Sequence, residues 1–195
     1  LHDIGRFEQI KRFHSFEPGT MDHAMYGADI LFGPEQMIRR FVKDQSFDQL
    51  ICVAIAKHSD FKLEGIEDER TLLHARLIRD ADKLDNCRVK LEESMETLLD
   101  MDEKTVGASP ISPKVWESCK AEKSVLSADR KTGMDYWMSY LALYFDINFP
   151  ETYQIIKEQD YIRRIAERVP YSREDTKEKV AYTVKKLEEK MNIQP

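Results

Sequence analysis

The sequence predicts an all-α protein, and three observations carry that reading. Glycine and proline number only seven each in 195 residues, so chain breakers are sparse. Apolar residues recur at helical spacing over long stretches. The one short apolar run that competes as a strand, from Leu50 to Ala56, finds no second segment to pair with.

Taken in chain order, the elements are as follows. A helix starts near Asp22-His23-Ala24. Asp48 is read as the N-cap of a short helix through Leu50, Ile51, Val53, Ala54, Ile55 and Ala56 that ends near His58-Ser59-Asp60. This run is apolar on nearly every side, as expected of a helix at the centre of a bundle. Residues 71–99 sustain helix through Leu72, Ala75, Ile78, Ala81, Leu84, Val89, Leu91, Met95 and Leu98, with room for one break. Ser109-Pro110-Ile111-Ser112-Pro113 is the clearest punctuation and predicts a boundary between a core, residues 1–105, and a helical subdomain packed on it, residues 106–195. Beyond it, residues 114–127, 133–145 and 151–169 read as helices. The last helix, 173–191, takes Ser172 as N-cap with Asp175 three residues on, and carries Val180, Val184, Leu187 and Met191 as one stripe.

Bulk properties narrow the function. The length suits one domain or a domain with an appended subdomain. A net charge of −6 argues against a nucleic-acid polymer as partner and leaves room for a basic pocket holding a small phosphorylated substrate. Cys52, Cys87 and Cys119 form no CxxC pair, which predicts reduced thiols in a cytoplasmic protein. Cys52 reads as a small buried hydrophobe. No run is long enough for a membrane span and no signal peptide opens the chain, so no membrane partner is expected; the missing leader carries little weight because residue 1 is Leu.

Chemistry concentrates in four segments. His2-Asp3 is an adjacent imidazole and carboxylate. The carboxylate can bridge two metals while the imidazole binds one. His23 starts a helix, His58 ends one, and Asp80, Asp82 and Asp85 lie on the next. Such a mixed nitrogen and oxygen set suits one or two divalent transition-metal ions (Mn, Fe, Ni or Zn) better than Ca.

These segments, LHDIGR, DHAMYGA, AIAKHSD and ARLIRDADKLDN, together resemble the HD superfamily of metal-dependent phosphohydrolases, whose pattern is H…HD…D. Many members add two histidines between the doublet and the last Asp and bind two metals. The resemblance covers about residues 1–90 and implies an HD-domain helical bundle. It assigns His2 and Asp3 to the doublet, His23 and His58 to the added histidines and Asp82 to the last acid. Asp80 competes for that role, but two residues on a helix differ by about 200° of rotation, so both cannot face one metal. The spelling Ala81-Asp82-Lys83-Leu84 favours Asp82. Asp80 is then expected to cap, to pair with Arg76 or Lys83, or to hold a ligand imidazole. Asp85 shares the face of Asp82 and is a candidate to orient a ligand or a water. The family's first histidine lies a couple of dozen residues before the doublet, so the resemblance implies a ligand upstream of Leu1 whose loss weakens one metal.

The activity implied is hydrolysis of a phosphomonoester or phosphodiester in a nucleotide-like small molecule by a metal-activated water. Asp3, Arg6 and Lys83 are the catalytic candidates, with Arg6 and Lys83 steadying the phosphate. Arg6 equally suits an ion pair with Glu8 or Glu17. Solvation is the expected reason that Arg76, Arg79 and Lys83 share a helical face. His74 and His14 read as hydrogen-bonded core histidines, and His14 alternatively reaches the cleft. Tyr136, Trp137, Tyr140, Tyr144 and Phe145 read as core of the C-terminal subdomain. Two rival activities remain compatible: a di-iron, O₂-dependent oxygenase of the same superfamily, and a non-catalytic nucleotide-binding sensor.

Overall fold

The structure, a computed structural model, describes residues 1–16 and 19–193; Glu17, one expected partner of Arg6, lies outside them. Among the described residues are eleven α-helices, four short 3-10 turns and no strand, so the protein is all-α as its sequence predicts. The chain separates into two compact units, Leu1–Arg79 and Asp80–Pro195. The division falls inside a helix, and the Ser109–Pro113 punctuation lies within the second unit.

The first unit holds α1 (Ile4–Phe13), α2 (His23–Phe32), α3 (Asp48–Ala56) and the opening turns of α4 (Glu69–Glu92). Ala28, Leu31, Ile38 and Ile55 form its buried core, with Ile4, Phe32, Ile51 and Ile78 packed against them. Two expectations for α3 are corrected. Asp48 is its first helical residue rather than its N-cap, and its carboxylate pairs with Arg39 instead. Asp44 caps the preceding turn by accepting from Ser46 N at 2.9 Å. Nor is α3 central: only Ala54 and Ile55 are buried, while Leu50, Ile51, Cys52 and Val53 stay partly exposed. In so small a unit, one helix face is all that the neighbours cover.

The second unit continues α4 and adds α5 (Met95–Leu99), α6 (Glu103–Ala108), α7 (Pro113–Lys120), α8 (Gly133–Ala142), α9 (Pro150–Glu158), α10 (Tyr161–Glu167) and α11 (Glu174–Ile193). Ser94 supplies the break expected in residues 71–99, capping α5 through Thr97 N at 3.1 Å. Met134, Trp137, Met138 and Leu141 of α8 are wholly buried and pack with Val115, Cys119, Ile165, Val180 and Leu187. Trp137, Tyr144 and Phe145 are core residues as expected. Tyr136 and Tyr140 sit at its edge instead, under Arg130 and Lys90. The predicted helix over 151–169 is two helices, because Asp160 turns left-handed at φ 50°. Asp135, fully buried, accepts from Ser112 N at 2.7 Å and Ser112 Oγ at 2.6 Å and so fastens the Ser-Pro segment to α8. Among the described residues no helix is long and apolar enough to cross a membrane.

Candidate metal centre

Two glycines set the geometry of the first unit's polar cluster. A Cβ on Gly5 would overlap the His23 carbonyl oxygen and lie 2.9 Å from Gly27 N. A Cβ on Gly27 would come within 3.3 Å of both Gly5 N and Ile4 Cγ2. Helices α1 and α2 therefore meet backbone to backbone, which larger residues would prevent. That close approach brings the residues before Gly5 up to the first turn of α2. Asp22 fixes that turn by accepting from Met25 N at 2.9 Å, leaving His23 as the first helical residue.

Asp3 occupies the N-cap position of α1 but makes no capping hydrogen bond. Its carboxylate is turned to other partners. Oδ1 lies 3.3 Å from His23 Nε2 and 3.4 Å from His58 Nε2, and it accepts from Arg6 Nε at 3.2 Å. Oδ2 lies 3.7 Å from His2 Nε2. Burial pushes the Asp3 carboxyl up. Hydrogen bonding from His23 and the charges of Arg6 and His2 outweigh this and hold it well below the ordinary carboxylate range.

His58 follows α3 and is buried, as is His23. Its Nδ1 lies 2.7 Å from the Ile55 carbonyl. A carbonyl only accepts, so Nδ1 carries the hydrogen, and in the neutral ring Nε2 presents its lone pair. That lone pair faces His23 Nε2 at 3.2 Å, with the two rings edge to face. His2, Asp3 and His58 offer ligand atoms that all lie within 4.8 Å of one another, and His23 joins through Asp3 and His58. Anionic oxygen and imidazole nitrogens converging in this way could hold a cation, and the donors suit a divalent transition metal.

The remaining candidates are found as follows. Arg6 pairs with Asp3 and reaches Gln9 Oε1 at 3.4 Å, while Glu8 pairs with Arg12 at 2.8 Å. Asp82 and Lys83 belong to the second unit. Asp82 is partly exposed, and its main-chain carbonyl accepts from Asn86 Nδ2 at 3.0 Å. Lys83 is buried, with its ammonium on the side chain of Asp146 at 2.7 Å and on the Asp146 carbonyl. Asp80 is 1% exposed and accepts from Asn148 N, Asn148 Nδ2 and Phe149 N at 2.7–3.1 Å, capping the start of α9. Asp85 pairs with Arg88 at the surface. Solvation does not explain the shared face of α4, because Arg79 and Lys83 are both buried. His14 is no core residue; it is the exposed, left-handed residue that ends α1. Gln9, wholly buried and donating to Thr20 Oγ1 at 3.0 Å, and Arg79 escaped the sequence reading. For Arg79 the signal was its place in the LIRDADKL segment.

The buried imidazoles of His23 and His58 gather with the half-exposed Asp3 carboxylate at helix ends, an arrangement suited to a metal-ligating domain. The family model described as HD domain matches residues 1–87, a little under half of the chain, which is consistent with membership of the HD superfamily. HD domains bind divalent metals, and the superfamily is one of metal-dependent phosphohydrolases. No curated protein and no solved structure matches the chain significantly.

Proposed function

We propose that the protein hydrolyses a phosphomonoester or phosphodiester of a nucleotide-like small molecule, using one or two divalent transition-metal ions held by His2, Asp3, His23 and His58. The observation that carries this reading is the His58 ring: its Nδ1 is committed to Ile55 O, and its Nε2 faces His23 Nε2 and Asp3 Oδ1. Two imidazole nitrogens and a carboxylate oxygen meeting at 3.2–3.4 Å are disposed as a ligand cluster. Bound there, such ions bring the acidity of water towards neutrality and offset charge on phosphate oxygens.

The protein's own groups do the rest. Asp3 stays ionised throughout the neutral range, so both its oxygens act as acceptors. One is turned to His2 and the other to His23 and His58, the disposition of a carboxylate that serves two cations. Arg6, about one-third exposed beside Asp3, offers a planar donor fork to a phosphate entering from solvent. The phosphate contact is assigned to Arg6 in preference to Lys83, because the Lys83 side chain is buried on Asp146 while a third of the Arg6 side chain is open to solvent.

The test is hydrolysis of p-nitrophenyl phosphate, bis-p-nitrophenyl phosphate and a nucleotide panel, each with Mn²⁺, Fe²⁺, Ni²⁺ or Zn²⁺. Activity with at least one metal, lowered at least about 100-fold by Asp3→Asn, supports the reading. Metal-loaded protein inert on every phosphoester, yet consuming O₂ with iron, would replace it with an oxygenase.

A further inference from the structure

We infer that Arg79 is a positioning residue that fixes the His58 imidazole from behind. Arg79 is 6% exposed, which is uncommon for a guanidinium without a bound anion or a committed set of acceptors. Its Nη1 donates to the His58 carbonyl at 3.1 Å and to the Asp60 carbonyl. Both carbonyls lie just past the end of α3, where the helix has no further main-chain donors to offer. The cation also meets the negative end of the α3 dipole, so its burial is compensated in this place.

The turn after α3 is short and carries little packing of its own. His58 N donates to Ile55 O at 3.3 Å and Asp60 N to Lys57 O at 3.2 Å, while Ser59 is exposed. These bonds, and that from Lys57 Nζ to Asp60 Oδ2 at 3.3 Å, lie within the turn and do not tie it to α4. Arg79 spans it from His58 to Asp60, and the planar guanidinium ties both ends to α4. With the main chain of His58 held, the 2.7 Å bond from Nδ1 to Ile55 O selects one ring orientation and one tautomer. Arg79 touches neither Asp3 nor His23 among the bonds described. It acts through the His58 main chain, and its consequence for metal binding rests on the reading above.

The experiment uses the full chain, with Arg79→Met and Arg79→Lys, and two readouts. Long-range ¹H–¹⁵N spectra of the chelator-treated protein report the His58 tautomer, and chelator competition with Zn²⁺ reports affinity. The wild type is expected to show a single Nδ1–H tautomer. Arg79→Met, folded by circular dichroism, is expected to show averaged His58 nitrogens and Zn²⁺ affinity weakened about 10–100-fold. Arg79→Lys keeps the charge on a flexible stem and should fall between the two. Unchanged His58 nitrogens in folded Arg79→Met overturn the inference. If Arg79→Met does not fold, wild-type nitrogens and affinity in folded Arg79→Lys overturn it equally. Disturbed His58 nitrogens in a protein whose wild type takes up no Zn²⁺ sustain the role of Arg79 and overturn the metal centre instead.

Discussion

The two units of the chain bury different things. The second closes over a broad apolar core in which Trp137, Met134, Met138, Leu141 and Leu187 are wholly inaccessible. The first buries only a handful of aliphatic side chains, and alongside them His23, His58, Gln9 and Arg79. It also leaves Phe7, Phe13, Phe16 and Met25 exposed. Apolar burial stabilises in proportion to area, whereas buried polar groups at best offset their own desolvation. The second unit is therefore organised for stability. The first gives up part of that for a cluster of ligand-type atoms.

That contrast can be broken from the stable side first. Trp137→Ala should destabilise the second unit by about 3–5 kcal/mol, the range for emptying a large aromatic site in a core. Urea unfolding followed by circular dichroism measures it. Asp80→Ala should cost about 1–3 kcal/mol, because three half-buried donors at Asn148 and Phe149 lose their acceptor.

On the side of the first unit, Gly5→Ala pushes a methyl into the α2 backbone. A cost of about 1–3 kcal/mol is expected, together with weaker metal binding as His2 and Asp3 move off α2. A variant of wild-type stability and wild-type affinity would show that the helices part without consequence.

The smallest effect concerns thiols. Burial pushes the Cys87 thiol up to about 11 and the Cys119 thiol up to about 12. Both folded values lie above the ordinary thiol value of 9.0, so their contribution to stability is complete below pH 9 and is lost as pH rises towards 11–12. Cys119→Ala should flatten the alkaline end of a stability profile. At neutral pH, iodoacetamide should label the half-buried Cys52 of the first unit well before either of the other two.

Much of this was legible in the residues. Low glycine and proline content and helical periodicity gave the fold class, and the stripe Val180, Val184, Leu187 and Met191 does pack on the core. The cluster residues of the first unit were legible because His-Asp doublets and helix-end histidines are local spellings. Helix ends were harder. Glycine is the usual signal for a left-handed residue past a helix, yet here His14, Asp100, Glu122 and Asp160 take that conformation. The break at Asp160 and the early end of α7 had no sequence mark for that reason. Arg79 was hidden by its type: charge at helical spacing reads as a solvated face, and only the three-dimensional path of the turn after α3 gives its guanidinium two carbonyls.

The central claim is that His2, Asp3, His23 and His58 gather to hold metal. Elemental analysis of the purified full chain, beside His58→Ala and Asp3→Asn, tests it most directly. The account predicts about one to two equivalents of a divalent transition metal, falling in both variants while the helical spectrum is kept. A wild-type protein that holds no metal, even after reconstitution with Mn²⁺, Fe²⁺, Ni²⁺ and Zn²⁺ in turn, would contradict it.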